Sequence, residues 1–291
     1  MGTAAPATPG TEESFAELPS ARVRCFVYEG EQARTAVFLH GLTSSARTWA
    51  GFLPTLPDGV RGIAYDSLGS GFTERRGPRR PIRPADQRVL LAEVIDHFGA
   101  ETVVLVGHSL GCRASLDYAW REPQRVRALL LMAPAVMGRE RLDPLIRLAQ
   151  SRAAPLLELL APLMVPRSAR AAVIEYAGDH EVSQRELEDQ IGHARQRPRE
   201  LMRGYVDILA GRDVLTPSSE LEHYRSIEAP VTILRGSGDL DWTPESHEQR
   251  YRDLLANLRL ERWDGVSHAP QIQAPERFRS ALNAFLDKTL P

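Results

Sequence analysis

The sequence predicts an α/β fold: a mostly parallel, twisted sheet with helices on both faces and an inserted helical cap. Three observations predict it. Short apolar, β-branched runs alternate with segments of helical period, and that alternation builds parallel sheets covered on both sides. It stops over residues 139–224, where only helical patterns occur, broken by prolines at 144, 155, 162, 166, 198 and 217. One run, Val103-Val104-Leu105-Val106, feeds straight into Gly107-His108-Ser109-Leu110-Gly111 and then into a helical pattern through Ala114, Leu116, Tyr118, Ala119 and Trp120.

Residues 1–18 are rich in Ala, Thr, Pro, Gly and Glu and read as a disordered tail. Residues 21–29 alternate Val23, Cys25 and Val27 against Arg22, Arg24 and Phe26, which predicts an early strand. Residues 35–39 form a fully apolar strand ended by His40-Gly41-Leu42, and residues 60–65 are a further strand, ended by Asp66-Ser67-Leu68-Gly69-Ser70-Gly71. An Arg/Pro-rich connection over 74–84 leads to a helix over 85–98, with Pro84 before its start and Gly99 past its end. Strands follow at 102–106 and 126–132. After the helical block come a strand at 231–234, a helix over 244–257, a strand at 259–263, a loop carrying His268 and a last helix over 275–286. The core then comprises 19–134 and 226–291, and the cap 135–225.

With 291 residues the chain makes one large domain, or one domain with an insertion. Its 43% hydrophobic and 25% charged residues are ordinary for a globular protein. The net charge of −2 gives no electrostatic case for nucleic acid or an anionic membrane as partner. Lys288 is the only lysine, so the positive charge is nearly all arginine, as a GC-rich genome would encode it. Cys25 and Cys112 form no metal or disulfide pattern, and Cys112 reads as a buried free thiol. No apolar run approaches ~20 residues and no basic-then-apolar leader is present, so the expected location is cytoplasmic.

The chemistry centres on Ser109. A Gly-x-Ser-x-Gly pentapeptide arises by chance in roughly one in ten chains of this length, so its setting between strand and helix carries the weight. A serine on such a turn holds strained backbone geometry that lifts Oγ out of the top of a sheet. Gly107 and Gly111 are required where strand end and helix start nearly touch. The Leu110 N–H opens a helix, where a developing oxyanion is favoured. A serine hydroxyl needs a base, and the base an orienting acid. Parallel strands end at one edge of the sheet, so the partners are sought after later strands. His268 lies in Gly265-Val266-Ser267-His268-Ala269-Pro270, and Asp239 in Gly236-Ser237-Gly238-Asp239. Asp241 is the alternative acid, two residues on.

With these residues in hand, the chain resembles the capped α/β-hydrolase superfamily over about residues 20–290. His40-Gly41 is similar to its oxyanion-loop dipeptide, Asp66 to Gly71 to its D-x-x-G-x-G turn, Gly107 to Gly111 to its nucleophile elbow, and the Asp239 and His268 loops to its acid and base loops. The resemblance implies an α/β-hydrolase fold with Ser109 as nucleophile, His268 as general base and Asp239 as acid. It implies the N–H groups of Leu42 and Leu110 as oxyanion hole, with His40, Gly41, Gly107, His108 and Gly111 in support. His40 is expected to order the oxyanion loop, and Asp66 to brace its turn.

Serine at the elbow disfavours epoxide hydrolases and dehalogenases, which use a carboxylate there. The expected activity is cofactor-free and metal-free hydrolysis of a carboxylic ester or thioester of a small to medium apolar molecule. Alternatives are carbon–carbon bond hydrolysis, acyl transfer, a lyase or perhydrolase reaction on the same site, or ligand binding without turnover. The cap is apolar in its first half (Leu142, Leu145, Ile146, Leu148, Leu156, Leu157, Leu159, Leu160, Leu163, Met164, Val165). That predicts either packing onto the core or an apolar substrate pocket. The partner is a small-molecule substrate, and the state a monomer or homodimer.

Overall fold

A computed structural model describes residues 10–42, 44–135, 147–177, 192, 194–211, 221–239 and 245–290. Nine strands form one sheet: β1 (Glu12–Glu17), β2 (Ala21–Tyr28), β3 (Glu31–Leu39), β4 (Val60–Tyr65), β5 (Glu74–Arg75), β6 (Val103–His108), β7 (Val126–Met132), β8 (Val231–Gly236) and β9 (Leu258–Trp263). Their order is β1-β2-β4-β3-β6-β7-β8-β9, with β5 also on β2. Every pairing from β4 to β9 is parallel, and β2 meets β1, β4 and β5 antiparallel. The helices are α1 (Arg47–Ala50), α2 (Pro84–His97), α3 (Leu110–Arg121), α4 (Ala154–Ala177), α5 (Pro198–Leu209), α6 (Glu245–Leu254), α7 (Pro270–Gln273) and α8 (Pro275–Thr289).

Alternation along each central strand divides the core in two. Val37, Leu39, Val103, Leu105, Leu129 and Leu131 face α2 and α3, whereas Phe38, Val104, Val106, Leu130 and Met132 face α8 and Trp49. β4 and β6 are buried throughout, and β6 accordingly opens with the unbroken apolar run Val103 to Val106.

One expectation needs correction. Residues 12–17 are strand β1, not disordered tail. An edge strand needs little apolar surface of its own, and this one is held by ladder bonds and cross-strand charge. Arg22 pairs with Glu17 at 3.1 Å and stacks over Phe15. Arg24 and Phe26 are both buried, because β2 lies inside the sheet and Arg24 has a buried carboxylate partner.

Between β7 and β8, α4 packs on α5 around Ala161, Met202, Val206 and Leu209, with Leu42 of the core against the same cluster. A β-carbon on Gly204 of α5 would lie 2.0 Å from the carbonyl oxygen of Gly69, so the helix rides directly on the turn after β4. The Ile82 N–H donates to the Asp207 carbonyl at 2.8 Å. Arg79 grips the Asp207 carboxylate through Nε and Nη2 and meets Glu158 of α4 at 2.6 Å. Packing or a pocket accounts for only part of the apolar cap. Leu156, Leu159, Leu160, Leu163 and Met164 form an exposed stripe on α4, whereas Leu157 and Val165 of the same helix face α5. Leu142, Leu145 and Ile146 lie outside the described residues.

Candidate active site

β6 runs into α3 through one residue, Ser109, with φ 51° and ψ −115°. A positive φ is rare for a residue with a β-carbon, and the surroundings hold it there. The Ser109 N–H donates to the Met132 carbonyl at 2.9 Å, and its carbonyl accepts from Cys112 and Ala135. The glycines of the elbow meet steric demands. A β-carbon at Gly111 would stand 2.6 Å from the Leu39 carbonyl oxygen, and one at Gly107 would be 3.0 Å from the Cys112 backbone. α3 thus starts against the end of β3, and Ser109 rises at the sheet edge.

Asp239 and His268 arrive on two interlocked loops. Gly238 N–H donates to the Val266 carbonyl and Ser237 N–H to that of Trp263, both at 2.9 Å. Gly236 lies so close to the second loop that a β-carbon would meet the Val266 and Ser267 carbonyls at 2.3 Å. The Gln273 carboxamide accepts from Ser267 N–H at 2.6 Å. The result is one continuous line. His268 Nδ1 is 2.9 Å from Asp239 Oδ2, and His268 Nε2 is 2.9 Å from Ser109 Oγ. A carboxylate only accepts, so Nδ1 carries the proton, and the bare Nε2 accepts from the serine hydroxyl. All three side chains are buried. Asp241 lies outside the described residues.

The loop after β3 is held by a second histidine. Ser67 N–H donates to His40 Nε2 at 3.0 Å, which leaves the proton on Nδ1 to be donated to the Gly41 carbonyl at 2.7 Å. Ser44 N–H also donates to that carbonyl. Gly41 packs against Ser109: a β-carbon there would sit 3.0 Å from Ser109 Cβ. Burial pushes His40 below the ordinary imidazole pKa. Leu110, the first residue of α3, has one of the amides left without an intrahelical partner.

His108 lies beneath, its ring centroid 5.2 Å from that of His268. Its Nε2 is 2.9 Å from the His268 carbonyl oxygen. Desolvation, with His268 nearby, lowers its pKa to about 3, so the ring is neutral and Nε2 is the donor. Cys112 is a free, buried thiol, raised in pKa by desolvation.

The residue the sequence reading missed is Arg24. Its Nε meets Asp66 Oδ2 at 2.7 Å, and Asp66 also accepts from the N–H groups of Ala46 and Phe72. Asp66 therefore ties together β2, α1 and the turn that supplies Ser67. The sequence carries no local cue to it: Arg24 alternates with the apolar Val23, Cys25 and Val27, and its partner lies 42 residues on. Among the described residues no cluster of His, Cys, Asp and Glu could hold a metal, and no helix is long and apolar enough to cross a membrane.

This fold and this site define a class. A model of the alpha/beta hydrolase family matches residues 36–281, and the chain belongs to that family of enzymes. It is 27% identical over 265 residues to the dihydrolipoyllysine-residue acetyltransferase component of the acetoin cleaving system of Pseudomonas putida, covering 86% of this chain and 70% of that one. The solved carboxylesterase CesB (YbfK) of Bacillus subtilis is similar with a TM-score of 0.71 and 20% identity, over 95% of this chain and 91% of that one. Esterase RhEst1 of Rhodococcus sp. ECU1013 is similar with a TM-score of 0.73 and 20% identity, over 96% and 99%.

Proposed function

We propose that this hydrolase cleaves a carboxylic ester or thioester of a small to medium apolar molecule through an acyl-enzyme on Ser109. The observation that carries this reading is the unbroken line Asp239···His268···Ser109, with 2.9 Å at each step. Ser109 Oγ attacks the acyl carbon as His268 Nε2 takes its proton. Asp239 holds the imidazolium through Nδ1–H. The carbonyl oxygen becomes an oxyanion facing the N–H groups of Leu42 and Leu110. The tetrahedral adduct collapses and expels the alcohol or thiol, which receives the proton from His268. Water, activated by the same base, then releases the acid. Residues 135–225 act as a cap that selects the substrate.

A second reading is acyl transfer to an acceptor other than water, supported by the acetyltransferase component among the relatives. Labelling with a fluorophosphonate, read by intact mass, tests the shared step. Wild type should gain one adduct, Ser109→Ala none, and His268→Ala should react far more slowly. Wild type that gains no adduct overturns the reading. Release of free acid from a series of esters and thioesters, against its transfer to an added amine or alcohol, separates hydrolysis from transfer.

A further inference from the structure

We infer that His108 is a positioning residue: its ring ties the backbone of the base to the backbone of the nucleophile and so sets the His268–Ser109 distance. The inference rests on the reading of Ser109 and His268 as nucleophile and base.

His108 is joined to Ser109 by a peptide bond, and its Nε2–H donates to the His268 carbonyl at 2.9 Å. A single rigid ring therefore spans from the residue before the nucleophile to the base itself. His268 sits on a loop between β9 and the short helix α7. Two further ties of that loop fall on the residues just before His268: the Gly238 N–H donates to the Val266 carbonyl, and the Ser267 N–H donates to the Gln273 side chain. Asp239 steers the imidazole of His268, and the His108 bond fixes the main chain from which that imidazole hangs.

The geometry also dictates the protonation of the ring. His108 is buried, and among the described residues its Nδ1 has no hydrogen-bond partner. A β-carbon at Gly41 would approach that nitrogen to 3.0 Å, so the oxyanion loop covers it. A proton there would be buried without an acceptor and beside His268, which turns cationic in each catalytic cycle. The Nε2–H tautomer alone satisfies the carbonyl and adds no charge against the imidazolium.

Three variants test this. His108→Leu keeps apolar bulk and removes the donor. His108→Gln restores an N–H donor on a side chain of similar reach, and His108→Asn carries the same amide on a shorter arm. For His108→Leu we expect kcat and the rate of fluorophosphonate labelling to fall about tenfold to a hundredfold, the scale of a misplaced catalytic group, with KM within about twofold. The limb of the kcat/KM–pH profile that reports the base should move. His108→Gln should recover to within about threefold of wild type and His108→Asn should not.

His108→Leu labelled at the wild-type rate overturns the inference, as does a folded His108→Gln as slow as the leucine variant. If His108→Leu does not fold, the Gln–Asn comparison decides. A wild type without any adduct marks failure of the hydrolase reading instead. Nitrogen NMR of the histidine rings addresses His108 whether or not the chain turns over. One buried ring should stay neutral with its proton on Nε2 from pH 8 to pH 5, and should vanish in His108→Gln. A His108 ring that is protonated, or protonated on Nδ1, over that range overturns the inference independently.

Discussion

The His40 ring donates from Nδ1 to the carbonyl oxygen of Gly41 at 2.7 Å. That carbonyl and the Leu42 N–H belong to one planar peptide unit, so whatever holds the oxygen also aims the N–H. His40→Leu removes the donor and leaves Ser67 N–H without its acceptor. Loss of one aligned oxyanion donor costs about 10²–10³ in rate where the role is established. Here Ser44 still holds the carbonyl, and we expect a smaller drop in kcat, about tenfold to a hundredfold. Steady-state kinetics on an activated ester measure it, and an unchanged kcat would remove the Leu42 amide from the oxyanion hole.

Acid should destabilise the chain through its buried histidines. Both His40 and His108 titrate below the ordinary imidazole value, His108 at about 3, in each case chiefly through desolvation. The unfolded chain takes up these protons first. Their contribution to stability is therefore complete above about pH 6.5 and declines as pH falls toward 3. Urea midpoints between pH 8 and pH 4 should fall with acid, and less steeply in His108→Gln. Equal slopes in the two proteins would show that His108 protonates freely in the fold.

Asp66 should matter more to stability than any single surface pair. Asp66→Ala takes the 2.7 Å partner from the buried Arg24 guanidinium, leaving it the looser 3.7 Å pairing with Glu13, and frees the amides of Ala46 and Phe72. Breaking a buried pair from one side costs about 3–5 kcal/mol. Arg24→Leu together with Asp66→Asn should cost less than Asp66→Ala alone, because no charge is left uncompensated. Chemical denaturation of the three proteins checks the order.

Gly204→Ala should act on substrate entry. Its β-carbon would meet the Gly69 carbonyl at 2.0 Å, so α5 must move off the turn after β4. We expect KM to rise several-fold, with labelling of Ser109 by a small fluorophosphonate nearly unchanged. Equal losses in both would place the damage in the catalytic line instead.

The exposed stripe on α4 should tolerate polar residues. Leu159 is 63% and Leu163 59% exposed, and surface changes of this kind stay within about 0.5 kcal/mol. Leu159→Ser combined with Leu163→Ser should leave the thermal midpoint within a degree or two and raise solubility. A large loss of stability would mean that these leucines are covered.

Much of the fold is legible in local pattern. The apolar run Val103 to Val106 of β6 announces a strand buried on both faces, and the Gly-x-Ser-x-Gly turn between β6 and α3 announces the position of Ser109. Periodicity and turn chemistry act over a few residues, and a linear reading captures them. The loops of Asp239 and His268 were likewise found by their place after β8 and β9, since parallel strands deliver their ends to one edge.

Other features depend on partners distant in the chain. Strand β1 exists because β2 offers it a ladder, not because residues 12–17 are strand-like. Arg24 is buried because Asp66, far along the chain, waits for its guanidinium. The proton of His108 is assigned by a carbonyl 160 residues away. Local sequence determined the elements and the candidate chemistry of this protein. Which charges are buried, which tautomers persist and which apolar face stays in water were decided only by tertiary structure, because desolvation and hydrogen bonding depend on neighbours in space.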